Sequence, residues 1–507
     1  MARDSDELAG HHRRVAALRN PGLYPHPVSD VVVHETHISS VVLAGDFAYK
    51  LKKPLDLGFL DFRSLASRKH YCAEELRVNA RLAPAVYRRV AAITEDDAGI
   101  QLDGSGEVVD YAVCMVRFDQ SELLGRIVED GGLTDAIINQ LADVLARFHQ
   151  EAAVASGDYG HAAGIQQVAL VNLDALTAMT LPQRLRDGVD RVEPQLRERA
   201  QQMAPALEQR QRQGAIRECH GDLHLENVLY RDGEVMAFDA IEFAPELRWI
   251  DTASDIAFPI MDLFRRGEVA AARRLRNRYL EMGGDYEALR VLPFYVAHRA
   301  LIRAKVTAIQ QAESGGMPEE ASLAPYISLA QGALTADTPR LLITHGLSGS
   351  GKSTVAQDWV EQAGVIRLRS DVERKRLFGL APDADSASGL DGGIYTTAAT
   401  EQTYERLAEL ARLVLGAGYT ALVDATFLRQ GEREQFHEVA RSAGADFGIL
   451  ALTADEATLR QRLRQRAADA GEASEADERV LDQQLEHVEA LTATEREHCV
   501  APEPARQ

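Results

Sequence analysis

Eight consecutive residues, Gly346-Leu347-Ser348-Gly349-Ser350-Gly351-Lys352-Ser353, have the spacing GxxxxGK[ST]. Glycines at these positions let backbone N–H groups turn inward on a polyphosphate, and the helix that follows adds the positive end of its dipole. Lys352 is then placed to reach the β- and γ-phosphates, the Ser353 hydroxyl suits a magnesium ion, and Thr354 carries the loop into the helix. The motif predicts binding of ATP with Mg2+. A glycine-rich turn with no ligand is the bland alternative, and the apolar strand before the loop and the helix after it argue against that.

Three further groups downstream have types suited to the same chemistry. Residues 421–424 form an apolar strand ending in Asp424, a carboxylate suited to holding the metal through water. Residues 370–375, Ser-Asp-Val-Glu-Arg-Lys, follow another strand, which puts them at the carboxyl edge of a sheet. Asp371 there is placed to accept the proton of an acceptor hydroxyl and Arg374 to clamp a substrate anion. A helix N-cap Asp with surface basic residues is the competing account. Residues 459–466 set Arg460, Arg462, Arg464 and Arg466 on one helix, with Arg462 and Arg466 four apart on one face. They read as a lid that brings arginines to a transferring phosphate, or as a solvated charged face.

A second constellation lies upstream. In His220-Gly221-Asp222-Leu223-His224-Leu225-Glu226-Asn227 an Asp precedes an Asn by five residues, the spacing of a kinase catalytic loop in which Asp is the base and Asn binds Mg2+. Asp239 follows Asn227 by twelve residues, where a second metal-binding carboxylate is needed. Lys50 ends a strand-like segment, as a phosphate-pairing lysine should, with Lys52 and Lys53 as rivals for that role. Glu75, or its neighbour Glu74, lies on the next helix and is placed to pair with it.

The C-terminal motifs GLSGSGKST, SDVERK, VDATF and the arginine-rich helix resemble the small P-loop kinases, a group with gluconate-kinase-like, zeta-toxin-like and polynucleotide-kinase-like members. The resemblance covers about 340–500 and implies transfer to a hydroxyl of a small molecule or nucleotide-like acceptor. The upstream order Lys, Glu, Asp-x4-Asn, Asp, with HGD and the later Asp251-Thr252-Ala253-Ser254-Asp255, resembles the aminoglycoside-phosphotransferase family over about 30–310. That resemblance implies Asp222 as base or hydroxyl-orienting group, Asn227 and Asp239 as Mg2+ ligands, and Lys50 on the α- and β-phosphates. No GxGxxG precedes Lys50; the candidate phosphate cover is His37-Ile38-Ser39-Ser40. Gly221 stands where an arginine would read a phosphorylated activation loop, so no such switch is expected.

The elements that must position these residues follow from the pattern. Strand-rich stretches are expected at 31–33, 41–43, 47–51 and 108–116, with a helix around 64–82. From 134 to about 334 the pattern is helical, broken by a strand-like section at 228–243 and a loop at 313–318; residues 336–339 read as a linker. Alternating strands (341–344, 365–368, 420–423, 447–452) and helices follow, which implies a parallel sheet. The expected fold is therefore multi-domain. Residues 1–337 form an N-terminal α+β protein-kinase-like two-lobed fold (small lobe about 25–120, large lobe about 121–337), and 338–507 a C-terminal α/β P-loop fold. The basic helix stretch at 298–305 (His298, Arg299, Arg303, Lys305) is expected to pair with acidic residues.

Composition bounds the rest. The 507 residues are 46% apolar and 26% charged, ordinary for a globular chain too long for one core. A formal charge of −21 makes general nucleic-acid binding unlikely, since that requires a cationic footprint. Four scattered cysteines without a CxxC pair fit a reducing cytosol. With no apolar leader and no run of 18 apolar residues, no secretion signal or membrane span is expected, and the location is expected to be cytoplasmic. Two functional classes remain: an enzyme with two ATP sites and small-molecule acceptors, or a single P-loop kinase or ATPase switch carrying a non-catalytic kinase-like module.

Overall fold

The computed structural model describes residues 2–58, 60–335, 338–384, 393–468 and 477–504. Residues 336 and 337 of the expected linker lie outside this set. The chain forms two compact units. One comprises residues 1–144, 148–161 and 211–259, and the other residues 145–147, 162–210 and 260–507.

The first unit is built on a six-stranded antiparallel sheet. Its strands are β1 (Val31–Glu35), β2 (Ser39–Ala44), β3 (Phe47–Lys52), β4 (Tyr87–Asp96), β5 (Gly99–Leu102) and β6 (Glu107–Val116), in the order β1-β2-β3-β6-β4-β5. Alternation along β3 sends Tyr49 and Leu51 to one face and Ala48, Lys50 and Lys52 to the other. Tyr49 and Leu51 join Val42, Ile93 and Cys114 under Val15 and Leu18, which belong to and follow the N-terminal helix Ala2–Ala17. Ala48, Val113 and Met115 pack instead on Cys72 of the helix Leu65–Asn79 and on Leu229 and Met236. Because the two faces are covered by different partners, the lysines of β3 are directed toward the helix that carries Glu75. Asp110 ties the layers together: its carboxylate meets Arg14 Nε at 2.9 Å and Arg68 Nε at 2.7 Å, all three residues buried.

The four expected strands are present. β4, β5 and the N-terminal helix were not legible in the sequence pattern. In β4 the alternation is interrupted at Arg88 and Arg89, where the register with β6 shifts between Tyr87 and Arg89. The N-terminal helix buries His11 and Arg14 beside Val15, so its inner face does not read as an apolar stripe.

The same unit holds β7 (Ile216–Glu218), β8 (Val228–Arg231), β9 (Glu234–Ala237) and β10 (Trp249–Asp251). β8 and β9 make a hairpin turned by Asp232 and Gly233, both with positive φ (52° and 83°). The strand-like section expected at 228–243 is therefore this hairpin plus a loop from Phe238, and the loop begins where Asp239 is needed.

The second unit contains long helices, among them Gln183–Gln202, Leu292–Glu313 and Glu320–Leu334. It also contains a parallel sheet of β11 (Arg340–His345), β12 (Ile366–Arg369), β13 (Ala421–Asp424) and β14 (Asp446–Ala451), in the order β12-β13-β11-β14. β13 is buried throughout and β11 nearly so, as strands covered on both faces must be. The helix Val269–Gly283 docks on this sheet. Asn277 Oδ1 accepts from the Arg367 N–H of the edge strand β12 at 2.8 Å. Arg273 and Arg276 donate to the carbonyls of Glu361, Gln362 and Gly364, where the helix Lys352–Ala363 ends.

The expected acid pairing of the 298–305 stretch is not what forms at His298 and Lys305. His298 is buried and contacts Asn172 Nδ2 at 3.3 Å, and Lys305 donates to the Asn172 side-chain oxygen. No helix among the described residues is long and apolar enough to cross a membrane. None of the four cysteines is joined in a disulfide among the described residues, and three of them are buried.

Candidate functional site

In the first unit, Lys50 Nζ lies 2.9 Å from Glu75 Oε1 and 2.6 Å from Asp239 Oδ1. Burial opposes the charge on Lys50, but Asp239 and Glu75 outweigh it and raise its pKa well above the ordinary lysine value. Burial alone would raise the Glu75 carboxyl; Lys50 and Lys52 together hold it below the ordinary carboxylate value. Lys52, on the same face of β3, is completely buried, with its Nζ between Glu75 Oε2 (2.7 Å) and the Glu242 carboxylate. Lys53 pairs with Glu35 instead. Of the three lysines, Lys50 alone reaches Asp239 in these contacts. Glu74, the rival to Glu75, bonds Arg77 and Arg248.

The loop from His220 to Asn227 is pinned from below. Asp255 accepts from the backbone N–H of His220 and of Gly221, each at 2.9 Å, and pairs with His149 Nε2 at 3.0 Å. Burial would raise the Asp255 carboxyl, yet these partners hold it well below the carboxylate range. His220 in turn contacts the Phe238 carbonyl at 2.8 Å, which fixes the residue before Asp239. Gly221 has φ 92°, and a Cβ there would meet the Leu247 carbonyl oxygen at 2.7 Å, so only glycine fits this turn. In the sequence Asp255 stands out only within the Asp251–Asp255 resemblance; tertiary contacts make it the anchor of this turn.

Asp222 and Asp239 project half-exposed carboxylates, with side chains 40% and 45% exposed. Asn227 is buried and donates from Nδ2 to the Asp222 carbonyl at 2.8 Å. Asp239 has φ 62°, unusual for a non-glycine residue, and its N–H donates to Tyr87 Oη at 3.2 Å. Strain held in place by surrounding bonds is characteristic of functional positions. The Asp239 carboxylate and the Asn227 amide oxygen are hard oxygen donors of the kind Mg2+ takes, so these residues fit the ion. The expected phosphate cover changes: Ser39 and Ser40 are buried within β2, Ser40 bonding His11 and Glu35, which leaves only the β1–β2 turn at 36–38. Half-buried Val41, Leu43, Phe118, Leu123 and Phe238 pack on Ala48, Met115, Leu229 and Met236 to give an apolar wall beside the charged cluster.

In the second unit, the P-loop joins β11 to the helix Lys352–Ala363. Gly346, Gly349 and Gly351 have φ of 149°, 84° and 94°. A Cβ at Gly346 would meet the Leu452 carbonyl oxygen at 2.4 Å, and one at Gly349 the Leu459 carbonyl oxygen at 2.9 Å. Lys352 Nζ donates to the Leu347 carbonyl at 2.8 Å, folded back over the loop. Ser353 and Thr354 open the helix, both exposed, while Ser350 is buried. The Ser348 N–H donates to Gln484 Oε1 (2.8 Å) and Gln484 Nε2 donates to Ser348 Oγ (3.0 Å), from the helix Glu478–His487. No motif announced Gln484.

Asp424 ends β13 next to the loop, where Gly346 N–H donates to the Thr426 carbonyl. It is 6% exposed, and its Oδ2 has no hydrogen-bond partner among the described residues. A buried carboxylate oxygen with no such partner, at the end of the strand paired with the P-loop strand, fits a magnesium site. Arg462 Nη1 reaches the Gly349 carbonyl at 3.2 Å, so this arginine lies at the loop. Arg460 and Arg464 instead form surface ion pairs with Glu456, Glu478 and Asp482. Arg466 lies on the same helix, but its side chain is outside the described residues. Asp371 is the second residue of the helix Ser370–Leu377, half-buried at the carboxyl end of β12. Arg374 is buried, donating to the Ile394 carbonyl and Thr400 Oγ1 and stacked over the Tyr395 ring.

Comparisons with known proteins agree with the two regions. Residues 60–292 match the model of the phosphotransferase enzyme family, and residues 341–491 that of an AAA domain. Uncharacterized proteins of Mycobacterium tuberculosis and Mycobacterium bovis are 32% identical over 427 residues, 83% of this chain and 83% of theirs. Among solved structures, a choline/ethanolamine kinase family protein from Mesorhizobium loti aligns at 15% identity and TM-score 0.37, over 64% of this chain and 98% of that one. An aminoglycoside phosphotransferase from Alicyclobacillus acidocaldarius aligns at 14% and 0.37, over 62% and 93%. A gluconokinase from Sinorhizobium meliloti aligns at 22% and 0.23, over 32% and 82%.

Proposed function

The chain belongs to one family with those mycobacterial proteins, joining a phosphotransferase region to a P-loop kinase-like region, and from that premise we propose that it is a bifunctional ATP-dependent phosphotransferase. Each region transfers the γ-phosphate of ATP to a hydroxyl of a small-molecule acceptor. In this reading the functional division falls at 337/338, with a small lobe of about 25–120 and a large lobe of about 121–337, followed by the P-loop domain of 338–507. The observation that carries the reading is the contact of Lys50 with both Glu75 and Asp239, beside the Asp222–Asn227 loop. A bare binding module has no need of that assembly.

At the N-terminal site, Asp222 orients the acceptor hydroxyl and accepts its proton, while Asn227 and Asp239 hold magnesium. Lys50, fixed by Glu75, offers its cation to the nucleotide phosphates, and the apolar wall around Ala48 and Phe118 receives the base. At the C-terminal site, residues 346–354 wrap the phosphates, Ser353 and Asp424 hold magnesium, and Lys352, Arg462 and Arg466 neutralise developing charge. Asp371 serves there as base and Arg374 as the substrate-side cation. Magnesium held by these residues would draw off charge from the nucleotide phosphates. Positioning and charge neutralisation supply the catalysis at both sites.

Equilibrium titration with a non-hydrolysable ATP analogue and Mg2+ tests this. Two bound analogues per chain are expected. One analogue, retained by Asp239→Ala and lost with Lys352→Ala, would instead favour a single P-loop kinase with a non-catalytic N-terminal module.

A further inference from the structure

The edge of the parallel sheet carries a buried cation for which the proposed chemistry has no use. Arg367, on β12, is 7% exposed. Its guanidinium grips Glu281 of the helix Val269–Gly283 with two prongs, Nε to Oε1 at 2.8 Å and Nη2 to Oε2 at 3.2 Å. Its Nη1 reaches the carbonyl of Ser353, the hydroxyl-bearing residue of the P-loop, at 3.4 Å. β12 runs parallel to β13 with Arg367 opposite Leu422 and Arg369 opposite Asp424. Residues two apart share a face of a strand, so Arg367 and Asp424 project from the same face of the sheet. Burial works against the charge on Arg367, but Glu281, followed by Asp424, holds its pKa above the ordinary value. One guanidinium thus lies within the field of two carboxylates and is bonded to one of them.

Glu281 precedes the P-loop domain in the sequence. Asn277, one turn earlier on its helix, donates from Nδ2 to Glu281 Oε1 at 2.8 Å and accepts from the Arg367 N–H. Arg376 donates to the Glu281 carbonyl. Burial would raise the Glu281 carboxyl, yet Arg367 outweighs it and keeps the group charged. The carboxylate is therefore built in: Asn277 and Arg367 fix its orientation, and Arg376 holds the main chain behind it.

We propose that Glu281 is a positioning residue of the P-loop site: by holding Arg367 it keeps a buried cation away from Asp424 and leaves that carboxylate to magnesium. The proposal rests on the reading of Asp424 as a metal residue. A guanidinium and a divalent ion compete for the same carboxylate, and in a low-dielectric site a shift of a few ångströms decides which is bound. An arginine deprived of its buried partner seeks another anion, and Asp424 projects from the same face of the sheet. The metal affinity of the P-loop is in this way set by a helix outside the P-loop domain.

The test is calorimetric titration of ADP, with Mg2+ and with excess EDTA, into the full-length chain carrying Lys50→Met, so that the N-terminal site is silenced. Relative to that parent, Glu281→Gln is expected to weaken Mg·ADP binding roughly tenfold while leaving metal-free ADP binding unchanged. Glu281→Gln combined with Arg367→Met removes both charges and is expected to restore Mg·ADP affinity to within about twofold. This double variant also separates the effect from any loss of folding caused by an unpaired buried arginine. Equal Mg·ADP binding by parent and Glu281→Gln, or a double variant as weak as the single, overturns the proposal. A parent with no magnesium-dependent ADP binding overturns the P-loop reading along with it.

Discussion

Lys50 Nζ and Asp239 Oδ1 stand 2.6 Å apart although 189 residues separate them in the chain. Lys52, two positions along the same strand face, is spent on Glu75 and Glu242 and is fully buried. The two lysines should therefore fail differently. Lys50→Met is expected to lower phosphotransfer at the N-terminal site by about a hundredfold or more, with little change in the urea midpoint. Lys52→Met leaves Glu242 without its cation and is expected to cost about 3–5 kcal/mol of stability in urea unfolding. Equal effects of the two changes on rate and stability would contradict the assignment.

Gly221 is confined by its φ of 92° and by the Leu247 carbonyl. Gly221→Ala is expected to destabilise the chain by about 1–3 kcal/mol and to displace Asp222, so kcat at the N-terminal site falls while P-loop turnover persists. Thermal unfolding with site-specific product assays would check both parts.

His298 is kept neutral by burial, with Arg299 and Lys305 adding to the effect, and its pKa is lowered from 6.5 to about 3. The unfolded chain gains a proton near 6.5 and the native chain does not until about 3. Native stability therefore falls as pH drops through that window, by about 1.4 kcal/mol per pH unit for this group. His11, lowered to about 4, acts in the same direction. His298→Gln should show a shallower decline in urea midpoint between pH 6.5 and 5 than the parent, and parallel declines would refute the cause.

Asn277 satisfies the buried N–H of Arg367 on an otherwise open strand edge. Asn277→Ala leaves that donor unpaired and is expected to cost about 1–3 kcal/mol, read by hydrogen exchange at β12. Unchanged protection there would show that the helix Val269–Gly283 does not hold the edge.

Much of both candidate sites is visible in the sequence, because the motifs proposed for phosphate binding and catalysis pack their residues into a few adjacent positions. The Gly346–Ser353 spacing and the Asp222–Asn227 spacing needed no tertiary information. The choice between Lys50 and Lys52 did need it, since both lie on one face of β3 and strand periodicity treats them alike. Ser39 and Ser40 look like turn residues in the sequence, but they lie inside β2, where His11 and Glu35 supply the bonds to Ser40, so the turn is shorter than the 37–40 segment. Gln484 and Glu281 belong to helices whose local sequence has no motif; only the chain path brings them to Ser348 and Arg367.

The central claim is that two separate phosphotransfer sites share this chain. The most direct measurement incubates the wild-type protein, Asp222→Ala and Lys352→Ala with γ-labelled ATP and a metabolite extract, and identifies labelled products by mass spectrometry. Two labelled products are predicted, one lost only with Asp222→Ala and the other only with Lys352→Ala. A single product that vanishes with Lys352→Ala and survives Asp222→Ala intact would contradict the account.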